Sequence, residues 1–228
     1  MNWFILASAL LTILGATLGG DAIWLHYIFK PLTTMLLWFM VWRASAGGQA
    51  PYRKAILAAL LLSLCGDVFL MLPMRLGFEL GLASFLLAHL FFLRAFTRDA
   101  RLFGRRLPLI LLFALSAANL LVLWPGVGPG LRLPVLAYML CLVAMTAQAV
   151  SRAFTLGTAD GKLAAGGGLA FLISDTTLAY NKFHAPVPAS ALLVLGTYYA
   201  ALYLMALSVR SKSVGDQPLA RSSDQVIG

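Results

Sequence analysis

Residues 163–180 read LAAGGGLAFLISDTTLAY, seventeen apolar or small side chains interrupted by one carboxylate, Asp175. At about 1.5 Å of rise per residue, a helix of this length covers about 27 Å, close to the roughly 30 Å hydrocarbon core of a bilayer. An ionised group at the centre of such a helix costs at least about 2.5–3.5 kcal/mol. Asp175 therefore needs polar partners elsewhere in the chain.

The stretch is not isolated. Of the 228 residues 61% are hydrophobic and 11% charged, where a soluble domain carries about 25% charge. So much apolar surface does not fit inside one soluble core. Eight runs are long enough to span a membrane: 3–20, 22–42, 55–72, 77–96, 107–124, 133–150, 163–180 and 189–209. The expected fold is all-α, a polytopic membrane protein with eight transmembrane helices in a single domain over residues 1–210. Residues 211–228 are polar and read as a disordered cytoplasmic tail. The N-terminus lacks a basic leader and reads as a retained first span. Pro31 lies inside span two, where a kink is expected.

Net charge is +9. In a soluble protein this would point to nucleic acid, but here the basic residues sit in short loops between apolar runs. Thirteen Lys and Arg fall on one side of the predicted bundle, Arg152 among them, and three on the other. That asymmetry places both termini in the cytoplasm and excludes a nucleic-acid partner. A shift of 108 residues lays Lys54 on Lys162, Asp67 on Asp175 and Leu70 on Leu178. Because that shift spans four runs, a four-plus-four tandem repeat is an open possibility.

With orientation fixed, depth follows from helical rise. Asp67 and Asp175 each lie five residues before the outer end of their span, about 7–8 Å below it. Lys30 enters span two from the outside and lies about 12 Å down. Asn119, Tyr138, His89, Tyr198 and Tyr199 add polar groups from spans four, five, six and eight. One water-accessible pocket toward the outer leaflet gathers these groups most economically. Lys30 reads equally as counter-ion to an aspartate or as a phosphate contact, with Arg75, Arg132, Lys182 and His184 as further phosphate candidates. Cys65 and Cys141 lie in apolar runs and form no disulfide framework. Three scattered histidines give no metal spacing, and no phosphate-loop or other cofactor motif is present.

The same residues carry a resemblance. FKPLTTMLLW (29–38), CGDVFLML (65–72), GLASFLLAHLFF (81–92) and GGLAFLISDTTLAYNKF (167–183) resemble, in that order, the recurring blocks of the YhhN family of membrane proteins, which includes lysoplasmalogenases. TYYAALYLMALS (197–208) resembles the family's last block, with Leu202 where members often carry a polar residue. The resemblance implies an eight-span membrane enzyme that cleaves the vinyl ether bond of a lysophospholipid, releasing a fatty aldehyde and glycerophospho-ethanolamine or -choline. It places Lys30, Asp67, His89, Ser174, Asp175 and Asn181 at motif positions. Asp67 and Asp175 are then the expected catalytic pair. Lys30, His89, Asn119, Tyr138, Ser174, Asn181, Tyr198 and Tyr199 are the expected substrate-binding set. Two carboxylates in a poorly solvated pocket suit acid catalysis, since desolvation and mutual repulsion keep one protonated beside an ionised neighbour. A proton- or cation-coupled transporter, or a hydrolase of another lysolipid, remains the competing reading. Richness in Ala, Leu and Arg fits a bacterial inner membrane. The oligomeric state is left open.

Overall fold

The computed structural model describes residues 1–44 and 50–215. Among them the chain forms eight α-helices and no strand. These are α1 (Asn2–Leu18), α2 (Ile23–Trp42), α3 (Ala50–Met71), α4 (Gly77–Phe96), α5 (Arg106–Leu123), α6 (Arg132–Leu156), α7 (Ala159–Phe183) and α8 (Ser190–Gly215). Each expected span falls on one helix. The ends differ because helices run past hydrocarbon: α3 starts five residues before its expected span, and α6 ends six after. The tail expected from Ser211 lies, from residue 216 on, outside the described residues. Pro31 sits within the uninterrupted α2.

Helices α3, α4, α5, α6 and α8 are long and apolar enough to cross a membrane. Helix α1 has 17 residues, and α2 and α7 carry the ionisable residues described below. The outer surface is apolar, with Trp3 at 81% and Leu121 at 76% exposure. An outside of this kind needs hydrocarbon rather than water around it.

Seven helices close into a ring in the order α1, α2, α3, α4, α6, α7, α8, with α8 packing back on α1 and α2. Helix α5 stands outside the ring, against α6 and the edge of α7. Leu37, Ile56, Phe92, Met145, Phe171, Leu202 and Met205 fill the centre at 0–1% exposure. Small residues set the closest approaches. A Cβ at Gly66 of α3 would lie 2.6 Å from the Phe85 ring of α4, and one at Gly167 of α7 would lie 2.7 Å from Met205 of α8. Such contacts hold helices together where lipid removes the hydrophobic drive for association.

One end of the bundle is tied by charge. Arg152, counted above among loop cations, is completely buried. Its guanidinium meets Asp99 at 2.8 and 2.9 Å, pairs with Asp160, and lies 5.2 Å from the centroid of the Tyr52 ring. One turn earlier, the Gln148 amide donates to Phe96 O and accepts from Phe103 N–H, and Ser151 Oγ accepts from Arg105 N–H. The loop between α4 and α5 is thereby fastened to α6.

Candidate active site

At the opposite end a cavity opens among α2 to α8, formed where even-numbered helices begin and odd-numbered ones finish. The space inside it that a water-sized sphere can occupy is about 140 Å³. Its walls are mainly Leu, Phe, Val and Met. Into them project Lys30, Asp67, Ser116, Asn119, Tyr138, Ser174, Asp175, Thr176, Lys182 and Tyr198.

Each carboxylate is held by its own partners. Asp67 is 1% exposed. Its Oδ2 accepts 2.8 Å hydrogen bonds from Thr34 of α2 and Tyr198 of α8, and its Oδ1 lies 3.5 Å from Lys30 Nζ. Lys30 and Thr34 are four residues apart and share a face of α2, so one helix supplies both a cation and a hydroxyl. All three neighbours donate, which is the environment of an ionised carboxylate.

Asp175 is more open, with 14% side-chain exposure. Its Oδ2 accepts a 2.5 Å hydrogen bond from Tyr138 of α6. The Tyr138 oxygen lies 3.0 Å from His89 Nε2, which is itself 3.7 Å from Asp175. A hydroxyl has one proton to give. With Tyr138 donating to Asp175, His89 presents Nε2–H to Tyr138 and its Nδ1 is bare, consistent with Nδ1 being buried and unpartnered. The ring is wedged against Phe171, 4.6 Å between centroids. Phe171 in turn packs edge-on against Tyr198 at 5.5 Å, so an aromatic pair stands between the two acidic clusters. Among the described residues no hydrogen-bond partner is common to both carboxylates.

The cavity wall thus holds Lys30, Asp67, Asn119, Tyr138, Ser174, Asp175 and Tyr198 from the expected set. Asn119 accepts from the Tyr180 hydroxyl at 2.9 Å and joins α5 to α7. Ser174 spends its hydroxyl on Val194 O of α8, at 2.9 Å. The other three expected residues lie off the wall. His89 is fully buried behind Tyr138. Asn181 is exposed and caps the α7–α8 turn by accepting from Val187 N–H at 3.0 Å. Tyr199 is turned away from the cavity, toward Thr12 and Thr33. Sequence reasoning missed Thr34. The signal was its position one turn after Lys30, inside a block already noted.

Comparison with known proteins gives this geometry a family. The YhhN family model matches residues 25–209. The chain is 37% identical over 186 residues to the Sus scrofa protein named lysoplasmalogenase TMEM86B, covering 82% of this chain and 76% of that one. It is 34% identical over 191 residues to Homo sapiens lysoplasmalogenase TMEM86A, covering 81% and 78%. A Mycobacterium tuberculosis lysoplasmalogenase is 33% identical over 201 residues, covering 84% and 72%. No solved structure matches. Matched by the family model along residues 25–209 and by relatives across more than four-fifths of its length, the chain belongs to the YhhN family.

Proposed function

We propose that the protein is a lysoplasmalogenase, hydrolysing the vinyl ether bond of a lysoplasmenyl lipid in this cavity, with Asp175 as general acid and Asp67 as base. The carrying observation is one apolar cavity with two carboxylates on its wall, the deeper paired with Lys30 and the other opening into it.

The chemistry follows from the substrate. The alkene electrons take a proton from Asp175 at the carbon β to the ether oxygen, leaving an oxocarbenium ion. Asp175 Oδ1 is the delivering atom, because Oδ2 is engaged by Tyr138, whose bond strengthens as the carboxylate forms. Asp67, ionised beside Lys30, takes a proton from the water that adds to the cation. The hemiacetal then collapses. Its hydroxyl proton returns to Asp175, the bond to the glycerol oxygen breaks, and that oxygen takes the proton held on Asp67. Both carboxyls end as they began, and the products are a fatty aldehyde and a glycerophospho-alcohol. General acid–base help of this kind contributes about 10²–10⁴-fold per group.

In the membrane we read all eight helices as spans, both termini as cytoplasmic and the cavity as opening toward the outer leaflet. The bilayer we assign is a bacterial inner membrane. The charge asymmetry of the loops supports that orientation. The two antiparallel pairs α3–α4 and α7–α8, related by the 108-residue shift, are the most extensively packed, which favours the four-plus-four repeat. The test is aldehyde release from lysoplasmenyl-ethanolamine or -choline by purified protein without any ion gradient. Gradient-driven uptake into proteoliposomes with no aldehyde formed would replace the hydrolase with a transporter. Cleavage confined to ester lysolipids would change the substrate class.

A further inference from the structure

We propose that Lys182 is the headgroup site of this cavity, binding the phosphate of a single-chain phospholipid at its mouth, two helical turns from Asp175; the lipid's identity as substrate rests on the hydrolase reading above, but the site itself does not.

Among the described residues two cations line the cavity, Lys30 and Lys182. Lys30 is committed, buried at 7% exposure and 3.5 Å from Asp67. Lys182 is exposed, and among the described residues no carboxylate lies within ion-pair distance of it. Its ammonium is instead 4.3 Å from the centroid of the Phe78 ring, another wall residue. That ring orients the cation without neutralising it. The acidic groups of the cavity are already served by others: Asp67 by Lys30, Thr34 and Tyr198, and Asp175 by Tyr138. An anion entering here therefore meets one unsatisfied positive charge.

The other basic groups expected to meet phosphate do not compete for the position. Arg75, Arg132 and His184 are off the cavity wall. Arg132 donates to Val127 O and lies over the Trp124 ring at 5.2 Å, and His184 packs edge-on against Tyr180.

The spacing suits a glycerophospholipid. Lys182 lies seven positions after Asp175 on α7, which returns them to one face about 10.5 Å apart along the axis. The four-carbon lysine stem can fold back along the wall and shorten that gap. A lysolipid places three glycerol carbons and two oxygens between its sn-1 substituent and its phosphate. With the phosphate at Lys182, the sn-1 linkage is carried inward to Asp175 while the polar headgroup stays at the mouth. The opposite orientation would put the phosphate against Asp67 and Asp175 and the chain in the mouth.

The experiment measures binding, so that it does not depend on turnover. A saturated 1-O-alkyl glycerophosphocholine, which has no vinyl ether to cleave, is compared with the matching 1-O-alkylglycerol, which lacks the phosphate. Both are titrated against detergent-solubilised wild type, Lys182→Gln and Lys182→Arg. The wild type should favour the phosphate-bearing ligand by about 10–100-fold, the gain of a hydrogen bond between charged partners. Lys182→Gln should lose that preference and Lys182→Arg keep most of it. A wild type without the preference, or a preference surviving in Lys182→Gln, overturns the assignment whether or not the protein releases aldehyde. If the preference is present but no aldehyde forms, the headgroup site stands and the hydrolase reading falls.

Discussion

The hydroxyl of Tyr138 on α6 donates to the carboxylate of Asp175 on α7 at 2.5 Å, while its oxygen stands 3.0 Å from His89 Nε2. One phenol thus sets the direction of a three-residue chain and engages Asp175 Oδ2, while no hydrogen bond from the described residues reaches Oδ1.

Tyr138→Phe keeps the ring and removes the donor. Hydrogen bonds to charged groups contribute about 1.5–3 kcal/mol, so kcat should fall about 10–100-fold with KM little changed. Steady-state aldehyde release over a range of lysoplasmalogen concentrations measures both constants. An unchanged kcat would remove Tyr138 from the chemistry and leave it a packing residue.

Lys30 and Asp67 form a buried pair, 3.5 Å apart. Removing one partner leaves an uncompensated charge, at a cost of about 3–5 kcal/mol. Lys30→Met should therefore melt well below wild type in detergent. Lys30→Met with Asp67→Asn should recover most of that loss yet remain inactive. Thermal melts and activity on the same preparations separate the two effects.

At the other end of the bundle, Arg152 joins Asp99 and Asp160 away from the cavity. Arg152→Met should destabilise by about 3–5 kcal/mol for the same reason. Activity per folded molecule, counted from the monodisperse fraction, should remain near wild type. A selective loss of kcat would mean that the two ends are coupled.

Much of the site was legible because lipid makes ionisable residues conspicuous. Lys30, Asp67 and Asp175 stood out as charges inside apolar runs, and counting residues along each helix brought the two aspartates to one depth with Lys30 a few ångströms further in. Rotation about the helix axis was harder to read. His89 and Tyr199 were placed at suitable depth, yet His89 lies behind Tyr138 and Tyr199 faces Thr12 and Thr33. Thr34 escaped notice because a threonine in a membrane helix usually bonds its own backbone, as Thr33 does to Phe29 O. Arg152 was sorted with the loops because it lies just beyond the hydrophobic run of span six. Its partners Asp99 and Asp160 come from the α4–α5 loop and the first turn of α7, which hydropathy does not link. The mutual repulsion expected between the two aspartates has no counterpart in shared contacts, since each has a separate set of donors.

The most direct test is the aldehyde-release rate of Asp67→Asn and Asp175→Asn, each confirmed folded by its elution profile and melting curve, against wild type on a lysoplasmalogen. Loss of at least about 10²-fold in each variant is the predicted result. Wild-type turnover in either one would contradict a reaction carried by these two carboxylates.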